Sequence, residues 1–312
     1  MERLLVTGID RPVGIDLALV LAEHCDVLGV FRDQVIETSA LRTACWDTAG
    51  GASLAELTRD WRPQWILHCG PLATANWDPA PTADEAASEV EVIAQLTALA
   101  AAHSARLTVL SSDAVFAGPR MFHDEASEAT ASSRWAATVR TLEQQLTARD
   151  TLIVRTHAYG WSPVSERAGF AELIWRGLSA GTLSGVDGRR HATPILATDL
   201  AELLWRAHEV RLTGLCHLAG AERTSPYHFA YALAAASNLN LPDVSAAPGM
   251  PAGDQMALEE TSLSSRRARR AMERATPLLR PGLERFAAQR HNGWLDRYTV
   301  VGPVAKLAAM AA

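Results

Sequence analysis

Apolar residues follow two alternating patterns along the N-terminal half of the chain. Short apolar runs predict buried strands at residues 4–6, 26–31, 65–68, 107–110 and 152–154. Longer stretches with helical spacing of apolar residues predict helices at residues 13–25, 83–102 and 132–148. Strands that alternate with helices in this way predict an α/β fold, a doubly wound parallel sheet of the Rossmann type with right-handed crossovers.

After residue 155 the alternation becomes irregular. Turn-rich segments occur around 181–190 and 242–253, and a further strand is predicted at 215–218. We therefore expect a nucleotide-binding domain over residues 1–155, to which the chain returns at about 193–220. Residues 156–192 and 221–312 are expected to form a smaller C-terminal substrate lobe. Its Ala-rich end, 306–312, is expected to be a frayed helix or a tail.

Composition excludes several classes of protein. The 312 residues are 48% hydrophobic and 21% charged, which is typical of a soluble globular protein, and the net charge of −6 argues against nucleic-acid binding. No apolar run is long enough to span a membrane, and the chain enters its first strand directly, so a cytoplasmic location without a signal peptide is expected. The four cysteines are scattered without metal-ligand spacing, and no metal is expected.

A glycine loop follows the first strand. Gly8 is placed for the tight turn and Gly14 for close packing of the next helix, but the middle glycine of a dinucleotide loop is replaced by Arg11, followed by Pro12. Proline has no N–H to offer a phosphate, and Arg11 would be strained by roughly 1 kcal/mol at a positive φ. Its guanidinium group offers an alternative phosphate contact. Arg32, just after the second strand, would suit the 2′-phosphate of NADP, although a surface arginine is equally consistent with the pattern.

Four later segments carry a family resemblance. They are Val109-Leu-Ser-Ser-Asp-Ala-Val-Phe-Ala-Gly118, Val154-Arg-Thr-His-Ala-Tyr-Gly160, Ala192-Thr-Pro-Ile-Leu-Ala-Thr-Asp-Leu-Ala201 and Gly214-Leu-Cys-His-Leu-Ala-Gly220. With the glycine loop, they resemble the extended short-chain dehydrogenase/reductases, closest to the dTDP-4-dehydrorhamnose reductase branch, from about residue 3 to residue 290. The resemblance implies NADP or NAD as a possible cofactor and a small-molecule substrate, with no nucleic-acid or membrane partner.

The same resemblance assigns roles to individual residues. Ser112 corresponds to the hydroxyl that binds the substrate carbonyl, and Asp113 to a carboxylate that lines the sugar pocket. Cys69 and Gly70 stand where the family has residues beside the cofactor. Tyr159 is expected to line the substrate site.

One segment departs from the family. Where the family carries Tyr-Gly-x-x-Lys-x-x-x-Glu on a helix, alignment on Glu143 places Trp135 at the tyrosine and Val139 at the lysine. The tyrosine is the family's proton donor, and the lysine lowers its pKa and holds the nicotinamide ribose. His123 and His157 are the best candidates to replace the acid, because histidine titrates near neutral pH. Trp135 is expected either to pack in the core or to form a flat wall of the substrate site.

Three hypotheses about function follow, from different classes. The first is an enzyme that acts on a nucleotide-linked sugar or specialised metabolite by redox-neutral acid–base chemistry. The second is a non-catalytic nucleotide-binding protein that regulates a partner enzyme, and the third is an NADPH-dependent reductase with a replacement acid. A homodimer through the helix of Trp135 is a further expectation from the resemblance. The arginine-rich segment 264–274 is either a solvated helix face, which we favour, or an anion site.

Overall fold

We describe the fold from a computed structural model. It describes residues 1–46, 52–146, 150–184, 186–241 and 260–304. The turn-rich segment expected around 242–253, the expected tail at 306–312 and the last two residues of the helix expected at 132–148 lie outside these ranges.

Strands and helices alternate through most of the chain. The strands are β1 (Arg3–Thr7), β2 (Asp26–Phe31), β3 (Gln34–Glu37), β4 (Arg42–Cys45), β5 (Trp65–His68), β6 (Arg106–Ser112), β7 (Thr151–Thr156), β8 (Ala158–Tyr159), β9 (Ile195–Leu196), β10 (Gly214–His217) and β11 (Thr299–Pro303). The helices are α1 (Gly14–Leu21), α2 (Leu54–Trp61), α3 (Ala83–His103), α4 (Arg134–Gln145), α5 (Phe170–Ala180), α6 (Ala197–Glu209), α7 (Pro226–Ala236), α8 (Arg266–Met272) and α9 (Leu279–Ala288). Within the described ranges, no helix is both long and apolar enough to cross a membrane.

The central sheet confirms the predicted α/β fold. Its seven strands lie in the order β10-β7-β6-β5-β1-β2-β4, and every pairing in it is parallel. The chain runs outward from β1 to β4 on one side and then crosses to β5 on the other side. The carboxyl ends of β1 and β5 are therefore a switch point of the strand order, where open α/β sheets bind ligands.

The smaller lobe has an aromatic core of its own. It is formed by α5, α7 and α9, and its largest buried side chains are Trp77, Tyr159, Trp161, Phe170, Phe229 and Phe286. Phe170 and Phe229 pack edge to face, with ring centroids 5.3 Å apart, an arrangement that the aromatic quadrupole favours. Trp77 comes from the loop after β5, so it joins the central sheet to this lobe.

The described end of the chain returns to the N-terminal half. Strand β11 pairs in antiparallel fashion with β3. Trp294, just before β11, donates its indole N–H to Asp16 on α1, at 2.7 Å. The expected smaller lobe of residues 221–312 did not include this pairing. It was not predicted, because β11 is short and three of its five residues are exposed.

Candidate functional site

Two adjoining cavities mark the switch point at the carboxyl ends of β1 and β5. The larger, which we call the nucleotide cavity, measures about 240 Å³ and lies between the glycine loop, the end of β2 and the start of α3. The smaller, which we call the throat, measures about 70 Å³ and lies between the glycine loop and the smaller lobe. Arg11 and Gly70 line both cavities, so the two form one cleft.

The two glycines of the loop are required by geometry. Gly8 has a φ of 83°, and a Cβ there would collide with the carbonyl oxygen of Cys69. A Cβ on Gly14 would collide with the carbonyl oxygen of Gly8. The strain foreseen for Arg11 falls instead on Val13, which has a φ of 74° and forms the N-cap of α1. For a β-branched residue this backbone conformation costs roughly 1–2 kcal/mol, which marks the loop as a strained segment beside the cleft.

Arginines line the nucleotide cavity, and carboxylates hold two of them. The guanidinium group of Arg11 donates to Glu85 Oε1 at 3.2 Å, and that of Arg167 donates to Asp33 Oδ2 at 2.6 Å. Arg32 lies over the indole ring of Trp46, 5.2 Å from the ring centroid. A phosphate group entering this cavity would therefore meet three guanidinium groups, but at Arg11 it would compete with Glu85.

Asp10 organises the turn after β2. Its buried Oδ2 accepts from the backbone N–H groups of Arg32, Asp33 and Gln34, at 3.2, 2.8 and 3.3 Å. These hydrogen bonds fix the backbone that carries Arg32. The sequence analysis did not single out Asp10; an acidic residue inside the glycine loop was the available signal.

A buried polar network forms the wall of the nucleotide cavity. His68 Nδ1 lies 2.6 Å from the hydroxyl of Thr7, and His68 Nε2 lies 3.1 Å from Glu89 Oε1. Glu89 also accepts from the backbone N–H of Leu72 at 2.9 Å. A Cβ on Gly70 would collide with His68 and Glu89, so only glycine fits between this network and the cleft. Glu89 was missed by sequence analysis, since one acid on a long helix carries no distinctive spacing.

The strand-end residues chosen as catalytic candidates are brought together, but away from solvent. His157 Nδ1 lies 2.8 Å from Asp113 Oδ2, and both side chains are fully buried. The same carboxylate accepts from the hydroxyl of Thr261 at 2.5 Å. The hydroxyl of Ser112 donates to the carbonyl of Thr74 at 2.5 Å and is also buried. This cluster therefore joins β6 and β7 to the segment after residue 260. The three predicted catalytic residues in it, Ser112, Asp113 and His157, line neither cavity of the cleft.

His123 lies elsewhere. It is buried, it stacks on Phe116 with ring centroids 4.1 Å apart, and its Nε2 lies 3.1 Å from the carbonyl oxygen of Glu260. Burial lowers its pKa. Its backbone N–H donates to the carbonyl of Ser262 at 2.7 Å, which ties the loop after β6 to the segment 260–265. The geometry thus gives His123 a structural role in place of the predicted catalytic one.

The residues at the family's tyrosine and lysine positions lie in the hydrophobic core. Trp135 is 7% exposed and Val139 is fully buried, both in the cluster that packs α3 and α4 against the sheet. Of the two expectations for Trp135, the structure therefore supports core packing, and the indole lines neither cavity of the cleft. Tyr159 does line the throat, and burial raises the pKa of its hydroxyl well above the ordinary value.

Asp78 is the carboxylate that faces the throat. Its Oδ1 accepts from the backbone N–H of Phe170 at 2.6 Å, which caps the start of α5. Burial raises the pKa of Asp78 to about 6. A cleft carboxyl with a pKa near neutral is suited to proton transfer. The sequence analysis missed it, because its position in the cleft depends on the packing of α5 against the loop after β5.

The described residues contain no cluster of three or more histidine, cysteine, aspartate or glutamate side chains that could hold a metal ion. Cys69, which lines the throat, is buried, and burial raises the pKa of its thiol. The carbonyl oxygen of Cys69 is the atom with which a Cβ on Gly8 would collide.

The parallel sheet, the glycine loop and the cleft at the switch point define a doubly wound fold of the Rossmann type. The chain also matches the RmlD substrate binding domain family over residues 1–291. The protein therefore belongs to that family, as the resemblance predicted.

Solved structures show the same fold at low sequence identity. A hypothetical dTDP-4-dehydrorhamnose reductase from Sulfolobus tokodaii is 23% identical, with a TM-score of 0.69 over 86% of this chain and 94% of the other. The dTDP-4-dehydrorhamnose reductase of Bacillus anthracis in complex with NADP is 18% identical, with a TM-score of 0.65 over 91% and 97%. The UDP-N-acetylglucosamine 4-epimerase of Methanobrevibacter ruminantium, in complex with UDP-N-acetylmuramic acid, is 13% identical, with a TM-score of 0.71 over 93% and 98%. Among curated protein sequences, no significant match was found.

Proposed function

We propose that this protein is an atypical enzyme of the short-chain dehydrogenase/reductase fold that acts on a nucleotide-linked sugar or a related metabolite by redox-neutral acid–base chemistry. The observation that carries the proposal is the loss of the family's proton donor and lysine to two core residues, Trp135 and Val139, beside a cleft that keeps its glycines and arginines. The relatives of known structure include reductases and an epimerase of sugar nucleotides.

The residues of the cleft fit the adenosine diphosphate end of a dinucleotide better than its nicotinamide end. The nucleotide cavity offers Arg11, Arg32 and the close approach at Gly8 and Gly70 for an adenosine diphosphate group. A nicotinamide bound here would supply or accept hydride. The lysine that would hold its ribose, according to the resemblance, is replaced by Val139, which is buried in the core. We therefore assign the nucleotide cavity to a nucleotide and derive no hydride step.

Proton transfer is assigned to Asp78. Its Oδ1 is held by the N–H of Phe170, and Asp78 lines the throat, which Arg11 also lines. With a pKa of about 6, Asp78 is mostly a carboxylate at pH 7 and can take a proton, and the acid it forms can return that proton to the substrate. Arg11 would hold the phosphate of the substrate and orient the reacting carbon toward Asp78.

A second candidate function is a non-catalytic nucleotide-binding protein that acts on a partner enzyme. It is favoured by the burial of Ser112, Asp113 and His157, whose polar groups bind one another and neighbouring segments. Under this hypothesis the cleft binds a nucleotide as a signal, and Asp78 serves only as the cap of α5.

The nucleotide cavity makes a first prediction about affinity. Replacing Arg11 with alanine should weaken ADP binding about tenfold or more, because a charge-assisted hydrogen bond to phosphate contributes about 1.5–3 kcal/mol. Glu85→Gln should tighten ADP binding about two- to fivefold, because it frees Arg11 from an ion pair worth about 0.2–1 kcal/mol and keeps the capping of α3. Isothermal titration calorimetry measures both values.

The control is Glu284→Gln, which changes an exposed ion pair with Arg280 and should leave the affinity for ADP unchanged. NADPH should bind no more tightly than ADP. Tighter binding of NADPH, with hydride transfer to a ketosugar, would overturn the proposal in favour of a reductase with a replacement acid.

The acid–base assignment makes a second prediction. A panel of nucleotide-linked ketosugars, whose carbonyl acidifies the neighbouring C–H bond, is incubated with the protein in deuterated water, and deuterium incorporation or epimerisation is followed by nuclear magnetic resonance. We expect exchange or epimerisation without consumption of NADPH. Its rate should increase with pH, with an apparent pKa near 6, as Asp78 loses its proton. Asp78→Asn keeps an oxygen that can accept from Phe170, so it should retain ADP affinity and the fold while losing about 10²–10⁴-fold in rate.

If Asp78→Asn binds ADP normally and the wild type processes no nucleotide-linked sugar, the non-catalytic function is supported instead. Co-purification of a partner enzyme whose activity depends on ADP would then establish it. Activity that is unchanged in Asp78→Asn would refute the role of this carboxyl.

A further inference from the structure

A second large cavity lies outside the cleft. It measures about 630 Å³ and lies beside β10, the edge strand on the far side of the sheet from β2 and β4. Helix α8 forms one wall, and the loop after β6 contributes Phe122 at one end. Four arginines line it, and we call it the arginine groove: Arg266, Arg269, Arg270 and Arg274.

The charge of the groove is unbalanced. Within the part of the chain that the structure describes, Arg266, Arg269 and Arg270 are exposed and form no ion pair. Arg274 lies 3.7 Å from Glu202, and the acidic side chain that lines the groove is Glu273. A concentration of positive charge on a protein whose net charge is −6 attracts small anions.

The helix presents these arginines on one face. Arg266, Arg269 and Arg270 are spaced at i, i+3 and i+4, so their side chains leave the same side of α8. Ala268 and Met272, on the other side, are buried against the core. Neighbouring Arg267 is not available to a ligand, because it donates to the carbonyl oxygens of Leu215 and Thr213. The groove therefore holds three unpaired guanidinium groups on an anchored helix.

Phe122 is an unusual residue at the end of the groove. Its backbone has a φ of 54°, and its ring is 44% exposed. Such a conformation is unfavourable for an aromatic residue, and here the surroundings hold it: the N–H of Phe122 donates to Ser262 Oγ at 2.8 Å, and His123 binds the same segment. An exposed aromatic ring held in a strained conformation beside phosphate-binding groups offers a flat surface for a planar base.

We propose that the arginine groove binds a nucleoside di- or triphosphate, with its phosphates on Arg266, Arg269 and Arg270 and its base against Phe122. Guanidinium groups pair with phosphate through two parallel hydrogen bonds, and several together favour a chain of phosphates over a single carboxylate. The volume suits a mononucleotide. The net negative charge of the protein disfavours a nucleic acid. This site is separate from the cleft, and the proposal does not depend on the function assigned to the cleft.

The test is calorimetric titration of ATP, ADP and AMP at 150 mM salt (about physiological ionic strength), in the full-length protein carrying Arg11→Glu to suppress binding in the cleft. We expect ATP to bind at one site, more tightly than ADP and much more tightly than AMP. Arg269→Ala combined with Arg270→Ala should weaken ATP binding at least tenfold. Phe122→Ala should weaken ATP binding and leave inorganic tripolyphosphate unaffected, because tripolyphosphate has no base.

The matched control is Arg280→Ala, which removes one exposed arginine of α9 that pairs with Glu284. It should change the affinity for ATP less than twofold, and thermal melts should show that all variants are folded. Equal losses in Arg280→Ala and in the groove variants would mean non-specific attraction and would overturn the proposal. It would also fail if ATP binds the wild type but not Arg11→Glu, since ATP would then occupy the cleft alone. Tighter binding of an oligonucleotide or a poly-glutamate peptide than of ATP would refute the ligand class.

Discussion

Replacing Glu143 with alanine should lower the free energy of unfolding by about 3–5 kcal/mol, because it leaves a buried guanidinium group without its counter-ion. Arg155 donates to both carboxylate oxygens of Glu143, at 2.9 and 2.6 Å, and both side chains are less than a tenth exposed. Ser111 adds a third hydrogen bond to the same carboxylate, at 2.7 Å. Chemical denaturation at pH 7 measures the change.

Two further variants separate the charge from the packing. Glu143→Gln keeps the shape of the side chain and one hydrogen-bond acceptor, so its free energy of unfolding should fall less than that of Glu143→Ala. Combining Glu143→Leu with Arg155→Met removes both charges and should recover part of the loss, since a buried ion pair contributes little beyond a well-packed apolar pair. Glu284→Ala breaks an exposed pair with Arg280 and should cost less than about 1 kcal/mol.

A loss of less than 1 kcal/mol in Glu143→Ala would contradict this account. The result bears on the family resemblance as well. By the resemblance, Glu143 corresponds to the last residue of the family's helical motif, whose tyrosine and lysine positions fall on Trp135 and Val139. In this structure Glu143 serves stability, through its pair with Arg155 on β7, and Trp135 and Val139 pack in the core.

The contribution of Asp16 to the stability of the protein should fall as the pH rises from about 4 to above 7. This carboxyl is fully buried on the first turn of α1, and burial raises its pKa from 3.8 to about 7, although the indole N–H of Trp294 and the charge of Arg297 oppose the shift. Because the folded state holds the proton more tightly than the unfolded state, stability is fully present below about pH 4 and is lost as the pH rises through 7. Ionising Asp16 in the folded state lowers the free energy of unfolding by on the order of 4 kcal/mol in full.

Asp16→Asn isolates this contribution. Asparagine keeps an oxygen that can accept from Trp294 but carries no proton equilibrium. At pH 8 the variant should be more stable than the wild type by up to about 4 kcal/mol, and the difference should shrink toward pH 4. Denaturation series at several pH values, followed by tryptophan fluorescence, measure the difference directly.

The matched control is Asp296→Asn, an exposed aspartate two residues from Trp294. The difference in free energy of unfolding between Asp296→Asn and the wild type should not grow from pH 4 to pH 8 as it does for Asp16→Asn. A difference between Asp16→Asn and the wild type that stays constant from pH 4 to pH 8 would show that the carboxyl titrates normally. In that case the contact between the described end of the chain and α1 would carry no pH dependence.

The strands of the central sheet were predictable because a strand buried on both faces is a short apolar run. The predicted strands at 26–31 and 65–68 coincide with β2 and β5, and the others agree within two residues at each end. Strands β3, β4, β8, β9 and β11 were not predicted, because β3, β4 and β11 are short and partly exposed and β8 and β9 have only two residues each. The pairing partners β11 and β3 are also distant in sequence.

Candidate site residues were harder to predict than the fold. Strand ends that reach the same edge of a sheet look equivalent in sequence, yet Asp113 and His157 are sealed from solvent, partly by Thr261, which lies more than 100 residues away along the chain. Asp78 faces the cleft because α5 packs against its loop, a contact with no sequence signal.

The doubly wound sheet, the glycine loop and the family could be predicted, because each depends on residue type at a local spacing. The burial of Trp135 in the core, the backbone strain at Val13 and the contact of Asp16 with Trp294 followed only from the packing of the folded chain. The same is true of the arginines of α8 that line one groove. Burial and electrostatic environment are properties of segments packed together from distant parts of the chain, and local spacing does not encode them.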